Sequence, residues 1–250
     1  ESPNIVNPSD LSPTLREDVC QQCHLQGDER VERDGISLRD YRPGLPLDQF
    51  ESVFIRISQD GQKRFFGQVE QMSSSRCFQM SGGRMGCISC HNPHWKPSPV
   101  EAAAYYRGRC LQCHETSACR LTRTERGQTD HCIGCHMPRS PNDSVPHTST
   151  TDHTTPRSWS AKTGIERVRA DIKLELVPFR GDGNQVKDGQ IPMRDLGVAL
   201  TRQARKLDGQ AAADSCRKGL DLLSKALAEN PNDATAWWAK ADAMQMQGQS

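Results

Sequence analysis

The sequence predicts a mainly α-helical fold with much irregular structure. Three observations support this prediction. The first 156 residues carry four C-x-x-C-H runs, separated by segments rich in Pro, Gly, Ser and Thr. The whole chain is lean in core-forming side chains, with 34% hydrophobic and 5% aromatic residues. From residue 193 onward, apolar residues recur at helical spacing.

The four C-x-x-C-H runs are the most informative feature of the chain. Two thiols at this spacing can add to the two vinyl groups of a porphyrin, and the histidine that follows can bind the iron axially. The runs therefore predict four covalently attached c-type haems. The predicted attachment cysteines and proximal histidines are Cys20, Cys23 and His24; Cys87, Cys90 and His91; Cys110, Cys113 and His114; and Cys132, Cys135 and His136.

Zinc binding and disulfide bonds are the two alternative interpretations of these cysteine pairs. A zinc ribbon uses C-x-x-C knuckles, but it does not need a histidine directly after each pair. Disulfide bonds impose no such histidine either. Haem is therefore the favoured interpretation. Four porphyrin faces would also replace side-chain core, so we expect a haem-nucleated domain that collapses without its cofactor.

Four further histidines remain after the proximal ligands are assigned, one for each haem. His94 follows a proline and is expected to reach a neighbouring haem. His147 and His153 lie in a loop that needs an anchor, and His131 directly precedes Cys132. A second histidine fills the sixth coordination position of the iron, which suits electron transfer, whereas a five-coordinate haem can bind a small molecule. The methionines considered as alternative sixth ligands are Met80, Met85 and Met137.

Three cysteines lie outside the four runs. In an oxidising compartment, Cys77 and Cys119 could form a disulfide that ties the segment after the first run to the other haems. The sequence leaves this pairing open. Cys216 falls in a helical segment and is expected to be buried and free.

The spacing of the runs predicts how the chain is organised. The runs begin at residues 20, 87, 110 and 132, so haems two to four should crowd together, with a helix over 100–106 leading into the third run. The resulting domain prediction is a tetrahaem cytochrome c domain over 1–156, a connector over 157–192 and a helical region over 193–250. Alternation over 171–177 predicts a short strand in the connector.

The spacing of apolar residues in the helical region predicts three helices, over 195–207, 211–229 and 234–247. Residues 225–238 resemble the junction between two tetratricopeptide repeats, with Gly219, Ala226 and Pro231 on the small, small and proline positions. An ordinary helical hairpin is the alternative. The predicted architecture is thus a multihaem domain followed by repeat-like helical hairpins.

Residues 87–94 and 132–138, which read C-x-x-C-H-x-P-H and C-x-x-C-H-M-P, resemble elements of doubled-CXXCH multihaem cytochromes. With the C-terminal helices, the whole chain resembles bacterial multihaem c-type cytochromes that carry tetratricopeptide repeats. This resemblance implies electron transfer outside the cytoplasm, with other redox proteins or further cytochrome subunits as partners and the repeats docking a partner protein. The alternative is an enzyme or enzyme subunit that acts on a small nitrogen or sulfur species at a five-coordinate haem.

Charge and hydropathy limit the partners and the cellular location that we expect. The formal net charge is +1, so there is no basic excess that would indicate a nucleic-acid partner. The sequence contains no run of about 18 apolar residues, so it predicts no membrane span. Because c-type haem is attached outside the cytoplasm, we expect a periplasmic or extracellular location and a targeting segment that is not part of this sequence.

Overall fold

The computed structural model describes residues 5–58, 67–115, 119–122, 124–126, 131–141, 149–157, 174–180 and 192–248. The fold separates into two compact units. Unit 1 comprises residues 1–70 and 168–250, and unit 2 comprises residues 71–167. The first C-x-x-C-H run lies in unit 1 and the other three lie in unit 2.

Unit 1 combines one N-terminal helix, a small sheet and three C-terminal helices. The helices are α1 (Pro13–His24), α7 (Met193–Ala204), α8 (Gly209–Glu229) and α9 (Ala234–Met246), and the strands are β1 (Glu29–Glu32), β2 (Glu51–Ser58) and β5 (Leu174–Phe179). The sheet has the order β1-β2-β5 and is antiparallel throughout. Pro178 is tolerated in β5 because that strand lies at the sheet edge.

The C-terminal helices and the sheet share one hydrophobic core. Val31 and Phe54 of the sheet lie in the same buried cluster as Val198 and Leu223 of α7 and α8. A buried carboxylate reinforces this packing, since Asp195 at the start of α7 accepts hydrogen bonds from Arg33 Nη1 and from Ser52 Oγ, each at 2.8 Å. Paired in this way, the buried charge is compatible with the core, and removing its partners would leave it uncompensated.

Unit 2 is built from short helices and one hairpin. After α2 (Gln68–Ser74), which begins in unit 1, come α3 (Arg76–Gln79), α4 (Cys87–Cys90), α5 (Ala102–Cys110) and α6 (Cys132–His136). Strands β3 (Arg139–Pro141) and β4 (Ser149–Thr151) pair antiparallel. Among the described residues of unit 2, few large apolar side chains are buried.

The observed elements confirm most of the predicted ones. Helices predominate, with irregular segments between them. The three C-terminal helices, the helix that leads into the third run and the strand near 171–177 are present, with ends shifted by a few residues. The sheet pairing of β1 with β2 was not predicted. The domain limits and the repeat assignment stay predictions. Among the described residues, no helix has the length and apolar character needed to span a bilayer.

Candidate haem sites

The first C-x-x-C-H run forms the last turn of α1. Pro13 opens this helix, where its missing N–H costs nothing, and the helix closes at His24 as the Leu25 N–H donates to the Gln21 carbonyl. Cys23 and His24 are exposed, whereas Leu25 is buried against the sheet. The run therefore presents its reactive side chains outward while the next residue anchors it.

A buried carboxylate holds the chain directly after this run. Glu70 Oε1 accepts hydrogen bonds from the Gln26 N–H at 3.2 Å and the Gly27 N–H at 2.6 Å. Gly27 has a φ of +60°, and a Cβ there would lie 2.5 Å from Val53 Cγ1. At Gly67 a Cβ would lie 2.5 Å from Glu70 Oε2 and 3.1 Å from the His24 carbonyl oxygen. These close contacts fix the backbone around His24.

Tyr41 is buried on the side of α1 that carries Cys20. Its ring packs edge-on against Phe50, with centroids 5.5 Å apart. Burial, with smaller contributions from Asp18 and Cys20, raises the pKa of Tyr41 to about 12. Asp18 in turn accepts a hydrogen bond from the Leu47 N–H at 3.0 Å. The segment over 41–50 is thereby tied to the helix that carries the first run.

One cysteine from each of the second, third and fourth runs lies in a common cluster in unit 2. The Cys110 and Cys132 thiols are hydrogen-bonded to each other, and burial followed by the neighbouring Cys132 and Cys90 raises the pKa of Cys110 to about 11. Burial also raises the pKa of Cys90, which Arg109 partly offsets. The Cys90, Cys110 and Cys132 thiols, which come from three different runs, therefore lie near one another, and the raised pKa values keep Cys90 and Cys110 protonated at neutral pH.

Aromatic rings surround the second run. The Tyr106 ring lies edge-on to His91 with centroids 5.9 Å apart, and Tyr105 and Trp95 continue the cluster with centroid separations of 5.1 and 5.2 Å. Arg109 Nη2 donates to the Tyr105 hydroxyl at 2.9 Å. This cluster supplies apolar ring surface beside exposed His91, where a flat cofactor face could pack.

The β3–β4 hairpin and the segment after it are held by two histidines. His136 Nδ1 donates to the Pro156 carbonyl and His153 Nδ1 donates to the Thr151 carbonyl, each at 2.8 Å. A carbonyl only accepts, so Nδ1 of each ring carries a proton, and Nε2 is the ring nitrogen left for another partner. Histidine ligands of metals are commonly oriented in this way, by a hydrogen bond from the ring nitrogen that does not bind the metal. Burial lowers the pKa of His153, which favours the neutral ring that a metal needs.

The remaining histidines differ in their surroundings. His94 is exposed, and its backbone N–H donates to Asn92 Oδ1 at 2.9 Å. His131 packs its ring on its own helix, since a Cβ at Gly134 would lie 3.0 Å from His131 Nδ1. His114 is exposed at the end of the third run. His147 lies outside the described residues.

Cys77 and Cys119 are not joined in a disulfide. Cys77 contributes to raising the pKa of both Cys90 and Cys110, which places it among the attachment cysteines of runs two and three. Cys216 is buried, as predicted. The described residues contain no group of three or more His, Cys, Asp or Glu side chains that could hold a metal ion, which gives no support to a zinc knuckle.

The donor set fits haem better than either alternative. Each run offers two cysteine thiols and an adjacent histidine on a short helix or at a helix end, and two histidine rings are oriented by backbone carbonyls. Sequence reasoning did not identify Glu70, Gly67 or the carbonyls of Thr151 and Pro156, because these supports come from residues that carry no motif.

Comparison with known proteins supports this conclusion. A family model described as a doubled CXXCH motif matches residues 81–119, which include the second and third runs. No curated protein and no solved structure matches the chain. The matched motif points to covalently bound c-type haem and to haem-based electron transfer, as in c-type cytochromes.

Proposed function

We propose that this chain transfers electrons outside the cytoplasm, in the periplasm or extracellularly, through four covalently bound c-type haems. The observation that carries the proposal is the presence of four C-x-x-C-H runs, two of which lie in the segment that matches the doubled-motif family. When bound, haem supplies one-electron redox chemistry at its iron.

The residues of each run have defined roles in this proposal. Eight cysteines tether the four groups by thioether bonds, and His24, His91, His114 and His136 are the proximal ligands. His94, His131, His147 and His153 supply sixth ligands. The carbonyl of Pro156 keeps the proton of His136 on Nδ1, so its Nε2 stays available to the iron. Glu70 accepts from the backbone N–H groups of Gln26 and Gly27, and Gly67 lies close to the His24 carbonyl, so both support the backbone directly after His24.

One observation favours a second candidate function. Unit 1 contains a single histidine, His24, because the other seven lie between residues 91 and 153 of unit 2. A second imidazole for the first haem would therefore have to come from outside unit 1. A first haem without one would be five-coordinate, and it could act on a small nitrogen or sulfur species.

The C-terminal helices are proposed to dock a partner protein, as tetratricopeptide-like hairpins do. Helix α9 supports this role because it exposes Trp237 and Trp238, whose exposed fractions are 49% and 59%. Large exposed aromatic side chains are enriched at the centres of protein interfaces. The proposed partners are other redox proteins or further cytochrome subunits.

The spin state of the oxidised, haem-loaded protein separates the two candidate functions. Electron paramagnetic resonance and visible absorption spectra should show only low-spin haem if every iron has two strong axial ligands. A high-spin fraction of about one quarter would favour the second candidate, with the first run as its site. The double variant Cys20→Ala/Cys23→Ala, which lacks the first haem, then tests that assignment, because the high-spin signal should disappear only if the first haem produces it.

A further inference from the structure

The rings of two histidines from distant parts of unit 2 lie close together. His91, the proximal histidine of the second run, and His153, which follows β4, have centroids 6.3 Å apart and ring planes 27° apart. The two residues are 62 positions apart in sequence. Among the spare histidines that the structure describes, His153 alone has a ring contact with a proximal histidine.

The separation of the two rings matches that of two ligands on one metal ion. A metal–imidazole nitrogen bond is about 2.0–2.1 Å long. A ring nitrogen lies about 1.1 Å from the centroid of a five-membered ring whose bonds are near 1.33 Å. Two imidazoles on opposite sides of one metal ion therefore have centroids about 6.3 Å apart. Ordinary contacts between aromatic rings also have centroids about 4.5–7 Å apart, so the distance alone does not identify a pair of metal ligands.

A second observation is the orientation of the His153 ring. Its Nδ1 donates to the Thr151 carbonyl at 2.8 Å, so the lone pair is at Nε2. The backbone is also fixed, because the His153 N–H donates to the buried Gln71 Oε1 at 2.8 Å and the adjacent Asp152 N–H donates to the Pro138 carbonyl at 2.9 Å. A loop histidine without a function has no need of this support.

We infer that His153 is the distal axial ligand of the haem held by Cys87 and Cys90, opposite His91. This inference rests on the proposed function, since it requires haem at the second run. It goes further by pairing one spare histidine with one haem. The β3–β4 hairpin is then the element that closes the second haem, and Gln71 is a positioning residue for His153.

The test uses the haem-loaded full chain and the variant His153→Gly. About one quarter of the haem should change from low-spin to high-spin in the electron paramagnetic resonance spectrum, and added imidazole should restore the low-spin signal. The matched control is Thr150→Val, a substitution in β4 at a residue with no role in the proposed site, and it should leave the spectrum unchanged. An unchanged low-spin spectrum in His153→Gly would overturn the pairing.

A second pair of variants identifies which haem is opened. In a Cys87→Ala/Cys90→Ala background, which lacks the second haem, adding His153→Gly should produce no further high-spin signal. A new high-spin signal in that background would assign His153 to a different haem and refute the inference. An intact mass of the parent chain that shows no covalent haem would instead refute the proposed function, so the two failures are distinguishable.

His153→Met keeps the pairing testable if the glycine variant does not fold. Methionine can replace histidine as an axial ligand and raises the reduction potential of a haem. One haem of the four should therefore shift to higher potential in a redox titration while the protein stays low-spin. Four unshifted potentials in a folded, fully loaded variant would contradict the pairing.

Discussion

The clamp formed by Glu70 gives the sharpest stability prediction. Its side chain is fully buried, and Oε1 accepts from two backbone N–H groups directly after the first run, at 3.2 and 2.6 Å. Hydrogen bonds to a charged group contribute about 1.5–3 kcal/mol each, so Glu70→Ala should lower the free energy of unfolding by about 3–6 kcal/mol. Glu70→Gln keeps an acceptor oxygen but loses its charge, so its cost should be about 1–3 kcal/mol.

Urea unfolding of the haem-loaded variants, followed by far-ultraviolet circular dichroism, measures these free energies. Glu229→Gln is the matched control, because Glu229 is exposed at the end of α8 and should stay within about 0.5 kcal/mol of the parent protein. The reasoning predicts the order alanine, then glutamine, then the control, from most to least destabilised. Equal stabilities for Glu70→Ala and Glu229→Gln would refute the clamp.

Three further predictions concern unit 1. Burial raises the pKa of Asp233, but hydrogen bonds from Arg194 and from the Ala236 N–H outweigh burial and lower this pKa below 3.8. The parent protein should therefore lose stability relative to Asp233→Asn as the pH falls below about 4, as measured by urea unfolding. An identical acid profile for the two proteins would contradict this. Because the pKa of Tyr41 is raised from 10.0 to about 12, its contribution to stability is complete below pH 10 and is lost as the pH rises through 12; Tyr41→Phe should abolish that loss in alkaline unfolding curves. A Cβ at Gly197 would lie 2.8 Å from Leu223 Cγ, so Gly197→Ala should cost about 1–3 kcal/mol and Leu223→Ala about 2–5 kcal/mol, whereas the double variant should cost less than their sum in a double-mutant cycle.

The sequence predicted the parts of the fold that repeat a local pattern. The C-terminal helices were predictable because their apolar residues recur at helical spacing, and the helix ending at Cys110 because of its alanine-rich start. The β1–β2 pairing was not predictable, since β1 has only four residues and its partner lies about 20 positions away. Such pairing depends on tertiary packing more than on local propensity.

The candidate site also combines features that follow from local sequence patterns with features that depend on the tertiary structure. The C-x-x-C-H runs predict the attachment residues, because haem attachment imposes a local spacing. The sequence could not show which spare histidine meets which run, since His91 and His153 are brought together by the β3–β4 hairpin. Supports such as Glu70 act through backbone hydrogen bonds, which leave no mark on the spacing of motifs.

The number of covalently attached haems tests the central claim most directly. The full chain, produced with the machinery that matures c-type cytochromes, should be measured by intact-mass spectrometry under denaturing conditions, so that only covalent groups remain. The account predicts the mass of the polypeptide plus four haems, and the loss of one haem in each variant that replaces both cysteines of one run. A mass equal to the bare polypeptide, or one lowered by the hydrogens lost in disulfide bonds, would contradict it.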